Sequence, residues 1–236
     1  MNSVILIKLS GESLANKEKS LAIDYELVRQ LASQLKEIQK LGLKILIVIG
    51  GGNFWRGTSA AKNGINRNTA DYIGMLGTAM NGLALESVFQ DLGIKTRVLS
   101  SISLDPRICE YFVLEKAQKY LSENRVIIFV GGTGRPYFTT DSAATLFASE
   151  MGVKVILVGK NNVNGVFDSD PKINPNAVRY DKITYDEAIE RNFKIMDSTA
   201  FSMARDNKIK LLIFNIKEKD SIVRLIKGQI EHTEVF

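Results

Sequence analysis

Hydrophobic positions along the chain fall into two recurring patterns. Residues 4–7, 45–49, 126–130 and 155–158 form short runs rich in β-branched side chains and apolar almost without interruption, and residues 211–214 form a fifth near the end. Continuous rather than alternating hydrophobicity predicts strands buried on both faces of a parallel sheet. Between these runs the apolar spacing changes to three and four. Leu27, Leu31, Leu35, Ile38 and Leu41 mark one helix, with Asp24 placed to cap its start and Gly42 to close its end. Further helices are predicted over 68–92, 140–151, 184–191 and 198–207. Strand–helix alternation without an internal repeat, low-complexity tract or Pro/Gly/Ser linker predicts an α/β fold. Residues 1–236 read as one domain with an N-terminal and a C-terminal lobe.

Composition narrows the chemistry. With 45% hydrophobic and 24% charged residues over 236 positions, the chain can bury a sizeable core. A single cysteine, Cys109, excludes an internal disulfide and a cysteine-rich zinc site, and a single histidine, His232, argues against a histidine-driven hydrolase or His-cluster metalloenzyme. Any catalysis therefore rests on Lys, Arg, Asp, Thr, backbone amides and a borrowed cation. No segment approaches the roughly 20 apolar residues needed to cross a bilayer, and the N-terminal run is too short for a signal peptide. A cytoplasmic location without a membrane partner is expected. The net charge of +5 and pI near 9.2 are compatible with polyanionic partners. The basic residues are dispersed and no helix concentrates them on one face, so nucleic acid is not the expected ligand.

The loops at the carboxyl ends of the predicted strands are more informative than the strands themselves. The first strand runs into Lys8-Leu9-Ser10-Gly11-Glu12 and the second into Gly50-Gly51-Gly52-Asn53. The third continues as Gly131-Gly132-Thr133-Gly134-Arg135-Pro136, and the fourth as Gly159-Lys160-Asn161-Asn162 and then Asn164-Gly165-Val166-Phe167. Open parallel sheets bind ligands outside the carboxyl ends of their strands. Four glycine-bearing loops on that edge would offer backbone N–H groups to an anion with several phosphates or carboxylates. Neither Gly-x-x-x-x-Gly-Lys-Ser/Thr nor Gly-x-Gly-x-x-Gly is present; Trp55 stands where the third glycine of the latter belongs. Lys8 and Arg56 are the candidate cations for a phosphate, each otherwise a solvated side chain. Asp71, on a predicted helix, suits sugar hydroxyls or is a plain surface carboxylate. Thr140 or Asp141 is a natural helix cap, and Asp141 is also the carboxylate best placed near a metal-bound phosphate. Asp168 and Asp170 are turn formers or ribose ligands, and Trp55 serves packing.

Taken together, these motifs resemble the amino-acid-kinase superfamily. They are Lys8–Glu12, Gly50–Asn53 with Arg56-Gly57, Thr133-Gly134 with Pro136 and Phe138–Ala143, and Gly165–Phe167 with Asp170-Pro171. Within the superfamily the chain is similar to the bacterial uridylate kinases, and the likeness runs in order through Met196-Asp197 and Ala204-Arg205-Asp206. It implies a three-layer αβα sandwich with a largely parallel central sheet, and transfer of the γ-phosphoryl group of ATP to UMP in pyrimidine nucleotide synthesis. Carried over position by position, it assigns ATP to Lys8, Leu9, Ser10, Gly11, Gly52, Arg56, Asn161, Phe167 and Asp170, mainly on the C-terminal lobe. It assigns UMP to Gly51, Asp71, Thr133, Gly134, Arg135, Pro136, Tyr137, Phe138, Thr139 and Thr140, mainly on the N-terminal lobe. It further implies Mg²⁺ carried by ATP rather than bound directly by the protein, a homohexamer built from dimers, allosteric regulation and inhibition by UTP. Arg135 departs from the Asn common in relatives, Asn162 and Asn164 from Lys and Asp, and residues 15–20 lack the glycines of relatives that respond to GTP.

The chemistry suits a chain nearly without histidine. The acceptor's phosphate oxygen is already deprotonated at neutral pH, so direct in-line transfer needs no general base, only positioning and neutralisation of charge. Lys8, Arg56 and Asp141 are the expected catalytic residues, with Asp141 orienting Lys8 or holding metal-bound water and Asp197 as a more distant orienter. Two other readings are a kinase of the same superfold acting on a carboxylate or carbamate, and a non-enzymatic nucleotide-sensing or DNA-binding regulator. The paired threonines and Phe138 of residues 133–141 favour a nucleotide acceptor.

Overall fold

The computed structural model describes residues 4–57, 59, 63–171, 173–193 and 195–236. Its centre is a nine-stranded sheet. In chain order the strands are β1 (Val4–Leu9), β2 (Lys44–Ile49), β3 (Thr96–Ser100), β4 (Glu110–Tyr111), β5 (Val126–Val130), β6 (Val155–Lys160), β9 (Lys182–Ile183), β10 (Lys210–Asn215) and β11 (His232–Val235). They are arranged β4-β3-β5-β2-β1-β6-β10-β11-β9. Among the described residues every neighbouring pair is parallel except β10–β11. An antiparallel pair, β7 (Val166–Phe167) and β8 (Arg179–Tyr180), forms a separate ribbon.

The apolar runs explain this layout. Along β1, Ile5, Ile7 and Leu9 join a core shared with α1 (Tyr25–Lys40), α2 (Arg67–Asp91) and α7 (Ser221–Ile226). Leu6 joins the opposite core, built with α3 (Leu114–Ser122), α4 (Thr140–Glu150), α5 (Tyr185–Glu190) and α6 (Ser198–Asp206). Period-two alternation therefore loads both faces of one strand, and the result is the expected three-layer αβα sandwich. The sheet order has a further consequence. Strands β2 to β5 lie on one side of β1, and β6, β10, β11 and β9 on the other.

Local signals set several boundaries. The Asp24 carboxylate accepts the Glu26 N–H at 3.0 Å to open α1, and Gly42, at φ +78°, comes just after its end. The cap of α4 is Thr139, not Thr140 or Asp141 as the sequence predicts. Its hydroxyl accepts the N–H groups of Asp141 (3.0 Å) and Ser142 (3.4 Å), which leaves the Asp141 carboxylate free of the capping role. The hydrophobic pattern does not reveal β3, β4, β11, α3 or α7. These segments are short, or mix polar residues into their runs, as in Thr96-Arg97-Val98-Leu99-Ser100. Among the described residues no helix is long and apolar enough to cross a membrane.

In the second core Phe129 of β5 stacks on Phe147 of α4, with centroids 4.1 Å apart and an interplanar angle of 8°. Phe112 meets both edge-on, at 5.5 and 5.1 Å. This cluster ties α4, and with it one wall of the sheet's carboxyl edge, to the strands beneath. Phe129→Ala is expected to cost about 3–5 kcal/mol, read as a lower urea midpoint at unchanged slope; a loss below about 1 kcal/mol would show that the stack does not anchor α4.

Candidate active site

Lys8 is the penultimate residue of β1 and faces the α4 layer, with only 7% of its surface exposed. An ammonium so buried needs an opposite charge. Asp141, in the first turn of α4, supplies it at 2.6 Å, its own side chain 15% exposed. Truncating either partner would strand a charge in a poorly solvated place. The pair marks the middle of the sheet's carboxyl edge.

The glycine loops close around this point by direct backbone packing. Gly50 donates its N–H to the Leu9 carbonyl at 2.9 Å. A Cβ on Gly11 would lie 2.7 Å from the Gly50 carbonyl oxygen, and one on Gly51 2.6 Å from the Gly74 carbonyl oxygen of α2. Asn81, fully buried on α2, holds the loop in place. Its amide donates to the Gly50 carbonyl at 2.7 Å and exchanges hydrogen bonds of 2.8 and 2.9 Å with the amide of Asn53. Sequence reasoning missed Asn81; its signal is a lone amide set among the small and apolar residues of a long helix.

On the β2 side lies a cavity of about 310 Å³, lined by Gly51, Gly52, Arg56, Asp71, Thr133, Phe138, Thr139 and Thr140. Asp71 is no surface carboxylate. It takes two hydrogen bonds from Arg67 Nε (2.8 and 2.9 Å) and one from the Tyr137 N–H (2.8 Å), and its side chain is 12% exposed. Trp55 also lines the cavity, donating its indole N–H to the Ala70 carbonyl at 2.9 Å. Arg56 stands at the rim, mostly exposed and paired with Glu12, a partner the sequence did not single out. Gly52 and Arg56, expected on ATP, thus border this cavity. Gly134, Arg135, Pro136 and Tyr137 are not among its lining residues; they form the loop behind it. There the Arg135 N–H donates to the Thr133 hydroxyl at 3.3 Å, and the Arg67 guanidinium lies 5.2 Å from the centre of the Tyr137 ring.

On the β6 side a second cavity of about 460 Å³ is lined by Lys160, Phe167, Asp168, Asp170, Phe193 and Ile195. Asp168 also fulfils its turn role: its carboxylate accepts the Val178 N–H at 3.0 Å and the Ser169 hydroxyl at 2.9 Å, which hold its pKa below the usual range. Asn161 adjoins this region. Its amide donates to the Ser10 hydroxyl at 3.3 Å, while its buried Oδ1 has no hydrogen-bond partner among the described residues. Leu9 buries its side chain in the core and leaves only backbone to the edge. Lys160 was not singled out from sequence, since it sits in a polar run after Gly159. Its ammonium donates to the Ile195 carbonyl; burial pushes its pKa down, Lys8 adds to that, and Asp141 opposes it.

Asp197 connects the two layers of loops. It caps α6 by accepting the Ala200 N–H at 2.9 Å, and it accepts the hydroxyls of Thr139 and Ser142, the latter at 3.0 Å. Among the described residues no group of three or more His, Cys, Asp or Glu is assembled to hold a metal ion.

The chain is a nine-stranded αβα sandwich with two cavities flanking the Lys8–Asp141 pair, and the model of the amino acid kinase family matches residues 3–215. A uridylate kinase of Mesomycoplasma hyopneumoniae (strain 7448) is 85% identical over 236 residues, covering all of both chains. One from Mycoplasmopsis pulmonis is 62% identical, over 98% of this chain and 95% of its own. Among solved structures, the UMP kinase of Ureaplasma parvum superposes with a TM-score of 0.95 at 42% identity, covering 100% and 99% of the two chains. The chain belongs to the amino acid kinase family and, within it, to the uridylate kinases.

Asn81→Ala would leave the Gly50 carbonyl and the Asn53 amide short of partners. A loss of about 1–3 kcal/mol is expected in equilibrium unfolding; an unchanged midpoint would show that the loop is held by its glycine contacts alone.

Proposed function

We propose that the chain is a UMP kinase, transferring the γ-phosphoryl group of ATP to UMP to give ADP and UDP in de novo pyrimidine nucleotide synthesis. The observation that carries this reading is the placement of the Lys8–Asp141 pair between two cavities on one sheet edge. The cavity on the β2 side, in the N-terminal lobe, takes UMP: Asp71 meets its ribose, and Thr133, Phe138, Thr139 and Thr140 its base and phosphate. The cavity on the β6 side takes ATP, with Phe167 and Asp170 toward the nucleoside. The unpartnered Asn161 Oδ1 is an acceptor that a ligand hydroxyl or amine would satisfy.

Reaction needs two polyanions brought end to end. Lys8 and Arg56 neutralise their charge, the amides of residues 50–52 cradle the phosphates, and the N-terminus of α4 adds partial positive charge. The acceptor oxygen attacks in line without a general base, consistent with a site that holds no histidine. Asp141 fixes Lys8 so that its ammonium is aimed before substrate arrives. Mg²⁺ carried by ATP would supply further charge neutralisation, and Asp141 is the carboxylate that would hold its water. UTP, sharing base and ribose with UMP, would inhibit by competing for the first cavity. Tyr72, Leu76 and Met80 recur every four residues as an exposed apolar stripe on α2, a face suited to the dimers from which a hexamer would be built. A cytoplasmic setting agrees with these substrates.

The test is ADP release with UMP, CMP, dUMP and amino-acid acceptors in parallel. UMP is expected to be turned over fastest; turnover of a carboxylate acceptor alone would overturn the reading. Lys8→Ala should lower kcat by roughly 10²–10³ while changing UMP affinity far less; near-normal turnover would remove Lys8 from the mechanism. Asp71→Asn should raise the KM for UMP roughly tenfold or more, as expected for a lost hydrogen bond to a charged group. A fall in kcat at constant KM would contradict ribose binding.

A further inference from the structure

Lys160 is a second, partly buried lysine of this edge, and the chemistry assigned to Lys8, Arg56 and Asp141 leaves it idle. It ends β6, two positions beyond Val158, which stands opposite Lys8 in the parallel register. Period-two alternation therefore puts both lysines on the α4 face, about two strand residues apart along the edge. Their partners differ. Lys8 is matched by a carboxylate at 2.6 Å, whereas the Lys160 ammonium, with three protons to donate, is hydrogen-bonded among the described residues to one neutral carbonyl, that of Ile195. A partly buried cation with no ion pair among the described residues carries a desolvation cost that an apolar side chain in the same space would not. Burial and the nearby Lys8 push its pKa down, and Asp141 opposes them.

The order of groups along the sheet edge suggests its use. From the acceptor side the sequence is Gly51 and Gly52 after β2, Lys8 on β1, Lys160 on β6, then Phe167 and Asp170 around the donor cavity that Lys160 itself lines. Lys8 sits between the two substrates and Lys160 beyond it, on the leaving-group side.

We propose that Lys160 is a catalytic residue of this reaction: its ammonium binds the β- and γ-phosphate oxygens of ATP and neutralises the charge that collects on departing ADP. As the bond from the UMP phosphate oxygen to Pγ forms, the bond from Pγ to the β-phosphate oxygen breaks, and its electron pair remains on that oxygen. No proton moves, and Lys160 stays charged throughout. The proposal rests on the reading of the second cavity as the ATP site.

The experiment compares wild type with Lys160→Met, which keeps the stem and removes the charge, and Lys160→Arg, which keeps the charge. Turnover of UMP is measured beside calorimetric affinities for UMP and for the Mg²⁺ complex of an ATP analogue with an imido β–γ bridge. Lys160→Met is expected to lower kcat by roughly 10²–10³ and weaken the analogue about tenfold, with UMP affinity within about twofold of wild type. Its unfolding midpoint should not fall, because a partly desolvated charge without an ion pair among the described residues has been removed. Lys160→Arg should recover part of the analogue's affinity. Turnover of Lys160→Met within about threefold of wild type would overturn the proposal. So would equal weakening of UMP and analogue, or a clear drop in stability, which would make the charge structural. Wild type that binds the analogue through Lys160 yet leaves UMP unphosphorylated would refute the UMP reading while leaving the donor-site role of Lys160 standing.

Discussion

The site is organised by one ion pair, Lys8 with Asp141, closed to 2.6 Å in a region where both side chains are largely shielded from water. The pair is worth little as a source of stability, since desolvating both charges offsets most of their attraction. Its value is positional. An ammonium held on the middle strand of a rigid sheet, by a carboxylate on the helix packed over that strand, has nowhere else to point. The surrounding elements keep that arrangement intact: Phe129 and Phe147 fasten α4 to the sheet, and Thr139 takes the capping duty that would otherwise occupy Asp141.

Around the pair, order is enforced mainly by neutral hydrogen bonds and close backbone packing. Asn81 and Asn53 lock the triple-glycine loop, Asp197 joins the cap of α4 to the start of α6, and Asp71 binds both Arg67 and the backbone of the loop that carries Tyr137. Most of these contacts span a large sequence separation and draw substrate-facing loops toward a common wall. Such preorganisation suits phosphoryl transfer, in which the protein contributes alignment and fixed charge rather than covalent chemistry. The sheet order adds a separation of the two cavities, because β2 to β5 flank β1 on one side and β6, β10, β11 and β9 on the other.

Much of this was legible before any coordinates. Five uninterrupted apolar runs became five strands of the largely parallel sheet, and the glycine-bearing loops after them gather at its carboxyl edge, because continuous hydrophobicity can be satisfied only by burial on both faces. The edge strand β4 and the outlying strands β3 and β11 escaped notice, since their partners in the sheet, not their own residues, stabilise them. Lys8, Asp141 and Asp71 were named from motif and type alone. Their company was not: nothing in the linear chain joins Glu12 to Arg56, Asn81 to Gly50, or Lys160 to the neighbourhood of Lys8.

The sequence by itself determined the layered α/β architecture, the glycine loops and the kind of chemistry a chain with one histidine can perform, because these arise from local periodicity and side-chain type. Only the tertiary structure decided which residue caps α4, which loops line each cavity, and that the buried Lys8 and the partly buried Lys160 share a face with a carboxylate beside only one of them. Those outcomes depend on sheet order and strand register, which long-range packing sets and no local pattern encodes.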